Sequence, residues 1–169
     1  DAGLLRNEID ALLGEHVSGT IKIIYTRGGG PRGYAMAVAP EPTRMVGFAA
    51  EDIAISPGAG VRLIICKTRI GRNAALAGMK TLNRLEQVMA RAEWDGADIQ
   101  EGLMLDDRDN VVCGTMSNLF LVQGNALMTP RLNESGVEGI MRAQVLDVAA
   151  KLGIRCEESR IPRASIAAA

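Results

Sequence analysis

Four short apolar runs, Gly102 to Leu105, Val111 to Cys113, Asn118 to Val122 and Ala126 to Met128, follow one another closely along the chain. Two polar turns, Asp106-Asp107-Arg108-Asp109-Asn110 and Gln123-Gly124-Asn125, lie among them. Short apolar segments joined by turns of this kind read as strands of a largely antiparallel sheet. Helical patterns flank them. Upstream, the segment Thr81 to Trp94 places Leu82, Leu85, Val88, Met89 and Ala92 on one face with charges opposite, which predicts a helix that buries that face. Downstream, Val137 to Leu152 reads as a helix closed by Gly153, with a last strand near Ile154 to Glu157.

The N-terminal part follows the same grammar. Leu4, Leu5, Ile9, Leu12 and Leu13 recur at helical spacing and Gly14 stands where a C-terminal cap would sit, so residues 2–14 are expected to form an amphipathic helix. Thr20 to Thr26 is a strand candidate that empties into the glycine-rich loop Arg27-Gly28-Gly29-Gly30-Pro31-Arg32-Gly33-Tyr34. Arg44 to Phe48 and Val61 to Lys67 are further strand candidates, separated by the turn Ser56-Pro57-Gly58-Ala59-Gly60. There is no internal repeat. The fold class is α+β, a mostly antiparallel sheet with packed helices rather than a βαβ alternation.

Composition narrows the function. The 169 residues are 47% hydrophobic and 23% charged, enough for a core, and 19 basic against 20 acidic residues leave a net charge of −1. With Tyr25, Tyr34, Phe48, Trp94 and Phe120 as the only aromatics, the chain has neither the basic field nor the stacking platforms of a nucleic-acid binder. The apolar run Leu63 to Cys66 stops at Lys67, and no run approaches the roughly 18 residues that cross a bilayer, so no membrane is expected as partner. Cys66, Cys113 and Cys156 are odd in number and lack metal spacing, which fits a reducing cytoplasm, and the lone His16 excludes a multi-histidine metal site. The chain begins at Asp1 and ends in Ser165-Ile166-Ala167-Ala168-Ala169, and it is expected to be truncated at both ends.

Three local patterns carry the chemistry. They are Leu76-Ala77-Gly78-Met79-Lys80-Thr81-Leu82-Asn83-Arg84-Leu85-Glu86, then Val111-Val112-Cys113-Gly114-Thr115-Met116-Ser117-Asn118-Leu119-Phe120, then Gly136-Val137-Glu138-Gly139-Ile140-Met141-Arg142. A lysine desolvated beside an apolar segment can form a Schiff base, and free N–H groups at a helix start favour a phosphate. Read singly, each has an ordinary explanation: Lys80 as a solvated lysine opening a helix, Gly139 as a surface helix cap, Cys113 as a buried strand cysteine. In this order, however, they resemble the fold-type IV pyridoxal-phosphate enzymes, which include D-amino acid and branched-chain aminotransferases and aminodeoxychorismate lyase. The resemblance runs from about Thr20 to the C-terminus. It is closest to the lyase, through Leu76 to Val88 and through Arg32-Gly33-Tyr34.

The resemblance implies pyridoxal 5'-phosphate as cofactor, with Lys80 as its Schiff-base lysine and as the proton-transferring group. It implies cofactor contacts from Cys113, Asn118, Gly139, Ile140 and Met141, and contacts to the substrate, aminodeoxychorismate, from Arg32 and Tyr34, with Arg27 a weaker candidate. Asn83 and Arg84 match positions near the site. No metal is implied. The implied product pair is pyruvate and 4-aminobenzoate, for folate synthesis, and the implied assembly is a homodimer. By the same resemblance residues 1–52 are the tail of a small N-terminal domain, and residues 53–169 are most of the large cofactor domain, incomplete at its C-terminus. Aminotransferase activity and a non-catalytic fragment remain as alternatives. One residue departs from the family pattern: Cys113 stands where relatives carry a glutamate that keeps the cofactor's pyridine nitrogen protonated.

Overall fold

A computed structural model describes residues 2–15, 18–51, 60–96 and 98–168. His16 and all but Gly60 of the turn expected at residues 56–60 lie outside the described residues. The chain divides into two compact units, Asp1–Ala59 and Gly60–Ala169.

In the first unit, helix α1 (Ala2–Leu13) is followed by strands β1 (Gly19–Thr26) and β2 (Thr43–Ala50), which pair antiparallel from Gly19 opposite Ala50 to Thr26 opposite Thr43. Glu8 of α1 takes both arms of the Arg44 guanidinium, at 2.7 and 2.6 Å, fixing the helix to β2. That hydrogen bond holds the Glu8 carboxyl below its ordinary range. A two-stranded ribbon and one helix offer little surface to bury. None of the unit's described residues is buried, and Leu4 and Leu12, expected on the apolar face of α1, are exposed.

The second unit holds two sheets. Strands β3 (Leu63–Arg69), β4 (Glu101–Leu105), β5 (Asn110–Gly114) and β9 (Ile161–Pro162) form one, in the order β3-β4-β5-β9. Strands β6 (Leu121–Gln123), β7 (Ala126–Pro130) and β8 (Arg155–Ser159) form the other. Most pairings are antiparallel, as the short turns imply, but β3 with β4 and β7 with β8 are parallel. Each parallel pair spans a crossover that carries a helix, α2 (Leu85–Arg91) in the first and α3 (Ile140–Lys151) in the second. The fold is thus α+β with mostly antiparallel pairing, as expected, and it includes two local βαβ crossovers.

The core forms two clusters. Met104 and Val112 pack with Cys66, Ile70, Ala90, Trp94, Cys113 and Leu132 on one side, while Leu105 and Val111 pack with Leu121 and Ile161 on the other, and the register of β4 with β5 shifts between Met104 and Leu105. On the first face α2 packs through Ala90, and Trp94 just beyond it donates from Nε1 to the Ile99 carbonyl at 3.1 Å. Gly102 is required beneath it, because a Cβ there would lie 2.5 Å from Cys66 Sγ and 2.7 Å from the Trp94 ring.

Two expected elements change. The helix expected over 81–94 begins only at Leu85 and ends at Arg91, and its supposed core face is outward: Leu82, Leu85, Val88 and Met89 are all exposed. Amphipathic periodicity identifies an apolar stripe without saying what covers it. The strand expected from Asn118 begins at Leu121: the Leu119 carbonyl accepts from the Thr129 Oγ1 hydroxyl at 2.7 Å instead of from a strand N–H, and the Asn118 side chain donates to the Val137 carbonyl. Among the described residues no helix is long and apolar enough to cross a membrane. Substituting Gly102→Ala is expected to destabilise the Gly60–Ala169 unit by about 1–3 kcal/mol through overpacking, measured by urea denaturation with a Gly47→Ala control, where a Cβ meets nothing.

Candidate active site

The site is built from backbone first. Gly78, in the loop before α2, forms a parallel bridge with Val137, in the loop before α3. The Gly78 N–H donates to the Gly136 carbonyl at 3.1 Å, and the Glu138 N–H donates back to the Gly78 carbonyl at 3.0 Å. Asn118 adds a third tie by donating from Nδ2 to the Val137 carbonyl at 2.9 Å. Two glycines make this approach possible. Gly136 has φ +86 and a Cβ there would stand 2.7 Å from Leu132 Cδ2, whereas a Cβ at Gly139 would run into the Asn118 carboxamide oxygen.

These ties close one side of a cavity of about 700 Å³. Its wall brings together Lys80, Cys113, Asn118, Gly139, Ile140 and Met141, all the residues expected to hold a cofactor. Lys80 stands two residues beyond the bridge and is exposed, not desolvated as the Leu76-Ala77-Gly78-Met79 segment suggests. Among the described residues its amine has no hydrogen bond or ion pair. At the N-terminus of α3, Gly139 is the N-cap and makes no side-chain cap bond, so the first N–H groups of the helix are left for an anion. Arg142, one turn in, is buried and clamps the helix down: it donates to the Pro130 carbonyl at 3.0 Å and pairs with Glu158 at 2.6 Å.

Cys113 is buried at the end of β5. Burial, reinforced by the Glu101 charge, pushes its thiol up to about 12, so it is a neutral S–H at physiological pH. Beside it in the wall, Arg84 donates from Nη2 to Thr81 Oγ1 at 3.1 Å, while Arg84 Nε and Gln87 Oε1 are buried without partners among the described residues. Asn83, also expected near the site, lines a smaller neighbouring cavity instead. Arg27, Arg32 and Tyr34 lie exposed in the connection between β1 and β2, with Tyr34 at φ +68.

Sequence reasoning missed the residue that holds the turn after β5. Glu101 accepts from Thr115 Oγ1 at 2.6 Å, from Ser117 Oγ at 2.7 Å and from the Thr115 N–H at 3.0 Å. Burial alone would raise this carboxyl; the hydroxyls of Thr115 and Ser117 and the N–H groups of Gly102 and Thr115 outweigh it and hold the group below the ordinary carboxylate range. Gly114 leaves the space, since a Cβ there would lie 2.6 Å from Glu101 Oε2. The signal was available: pairing across the Asp106–Asn110 turn brings Leu103 opposite Gly114, so the charged residue two places before Leu103 meets the hydroxyl-bearing turn. Arg142 carried only the weaker signal of a single charge after Ile140 and Met141.

With this geometry in hand, comparison with known proteins is direct. The model of class IV amino-transferases matches residues 1–169. The chain belongs to the class IV aminotransferase family. It is 41% identical over 133 residues to the aminodeoxychorismate lyase of Vibrio harveyi, covering 77% of this chain and 49% of that protein. It is 31% identical over 145 residues to a putative branched-chain-amino-acid aminotransferase of Methanocaldococcus jannaschii, covering 82% of this chain and 48% of that one. The crystal structure of 4-amino-4-deoxychorismate lyase from Pseudomonas aeruginosa superposes with a TM-score of 0.88 at 42% identity, over 99% of this chain and 63% of that chain. The chain thus spans about half the length of the curated relatives it matches. The cofactor of the family is pyridoxal 5'-phosphate.

A carboxyl held below its usual range stabilises the fold at neutral pH and loses that contribution as pH falls through its lowered value. Glu101→Gln is therefore expected to cost about 1–3 kcal/mol at neutral pH. The difference from the native chain should shrink on acidification, as followed by urea denaturation at both pH values.

Proposed function

We propose that the cavity binds pyridoxal 5'-phosphate and that the chain is the cofactor-holding part of a 4-amino-4-deoxychorismate lyase, which releases pyruvate and 4-aminobenzoate. The observation that carries this reading is the Gly78–Val137 bridge, which puts a free lysine amine and an uncapped helix N-terminus on one cavity wall. The residues fit the cofactor in kind: a cavity of about 700 Å³ suits a small molecule, the start of α3 suits its phosphate, and Lys80 suits its aldehyde.

In this reading the N–H groups of Ile140 and Met141 hold the phosphate. Asn118 keeps the Val137 carbonyl in place and Cys113 contributes to the wall beside the ring. When bound, the cofactor supplies a conjugated electron sink for the carbon that bears the substrate amine. Lys80 Nζ would hold the cofactor, and as a free amine it would take the proton from that carbon and return a proton to the departing enolpyruvate. Arg32 and Tyr34 are proposed to take the substrate carboxylates, an arginine fork matching a carboxylate in shape and charge. We read residues 1–52 as the tail of a small domain and residues 53–169 as most of the large cofactor domain. The free thiols of Cys66, Cys113 and Cys156 suit a cytoplasmic protein.

The likeness to the Methanocaldococcus jannaschii protein favours a second reading, aminotransfer, in which Lys80 would return its proton to the cofactor side. Incubation of the full-length protein with aminodeoxychorismate and no keto-acid acceptor separates the two. Pyruvate release is expected for the lyase, and absence of pyruvate until an acceptor is added would decide for aminotransfer. Lys80→Ala is expected to lower turnover by about 10³-fold or more with the fold intact, and normal turnover in that variant would refute the assigned role.

Self-association is part of the proposal. The outward face of Leu82, Leu85, Val88 and Met89 is 55–66% exposed, and an apolar stripe of this kind suits a subunit contact. A dimer is expected in sedimentation. Val88→Glu should shift it to monomer, and a native monomer at high concentration would contradict the assembly.

A further inference from the structure

The wall formed by the first turn of α2 and the end of β5 has an unusual polar character. Among the described residues Arg84 Nε–H and Gln87 Oε1, a donor and an acceptor, are buried there without partners, and both residues line the cavity. The third polar group of this wall is the neutral thiol of Cys113. Among the residues lining the cavity the only carboxylate belongs to Glu138, and it packs beside Gly78, where a Cβ would meet its Cδ at 3.3 Å. Glu101 does not line the cavity, and its oxygens are occupied by Thr115 and Ser117.

A pyridoxal phosphate ring must satisfy a phosphate, a reactive carbon and a ring nitrogen. The start of α3 takes the first and Lys80 the second. The nitrogen lies across the ring from the carbon that Lys80 takes, which leaves the α2–β5 wall as its polar surroundings. A carboxylate at such a wall keeps the nitrogen protonated. A guanidinium does the reverse: its N–H needs a lone pair to accept it, and its charge opposes a second cation alongside. Gln87 Oε1 could accept from a protonated nitrogen, but it is neutral and does not compensate two adjacent positive charges.

We infer that the wall of Arg84, Gln87 and Cys113, which carries a guanidinium and no carboxylate, holds the cofactor's ring nitrogen unprotonated. This inference rests on the cofactor reading above. It makes these residues specificity determinants. An unprotonated ring is the weaker electron sink, which disfavours reactions that store a full negative charge on the cofactor, as aminotransfer does, and leaves one whose substrate ring becomes aromatic as the enolpyruvate departs.

The test is nitrogen-15 NMR of the full-length protein loaded with cofactor labelled at the ring nitrogen. The expected resonance is that of an unprotonated pyridine, unchanged across neutral pH. Cys113→Glu should move it to the protonated position. Where that variant does not fold, Arg84→Gln, which removes the charge, should make the resonance titrate in the neutral range. A protonated resonance in the native protein overturns the inference while leaving the cofactor reading intact. Failure of the folded protein to take up the labelled cofactor overturns both.

Discussion

Two backbone hydrogen bonds, from Gly78 to the Gly136 carbonyl and from Glu138 back to the Gly78 carbonyl, tie together segments nearly sixty residues apart in sequence. Everything in the site hangs from them. Lys80 follows the first segment by two residues, and α3 begins three residues after Val137, so one contact sets both the amine and the helix N-terminus. Its geometry excludes most side chains: Gly78 and Gly136 have positive φ, and Gly139 must lack a Cβ to accommodate Asn118. A site placed by main chain tolerates variation in the side chains around it, which suits the exposed Ile140 and Met141.

Around this frame the sheet supplies rigidity. β4 and β5 are buried on both faces, so β5 delivers Cys113 to the cavity from a fixed strand, and Glu101 on the neighbouring strand fixes the turn that follows it. Arg142 does the equivalent work for α3, where its buried guanidinium spans the Pro130 carbonyl and Glu158. Both clamps use a charge with several hydrogen bonds, the form in which a half-buried charge offsets its desolvation. With Arg142 paired to Glu158, the cavity lining is left with the cationic side chains of Lys80 and Arg84 against the Glu138 carboxylate, a balance that suits an anionic ligand.

Much of this was legible in the sequence because it is local. Strands β1, β2, β4, β5 and β7 and helices α1 and α3 announce themselves through alternation, turns and caps, and the three motifs name most of the cavity wall. What was not legible depends on contacts across the chain. The parallel pairings depend on where a crossover lands. The exposed face of Leu82, Leu85, Val88 and Met89 depends on what, if anything, packs against it. The exposure of Lys80 likewise could not be read from its apolar neighbours, since Met79 and Leu76 are themselves exposed. Short motifs record which residues assemble, while burial is a property of the assembled surface.

The central claim is that Lys80 carries the cofactor in the cavity closed by the Gly78–Val137 bridge. Borohydride reduction of the full-length protein after incubation with pyridoxal 5'-phosphate, followed by peptide mapping, tests it most directly. The account predicts a stoichiometric pyridoxyl label on Lys80 that excess inorganic phosphate reduces. A folded protein with no label, or with the label spread over Lys22, Lys67 and Lys151, would contradict it.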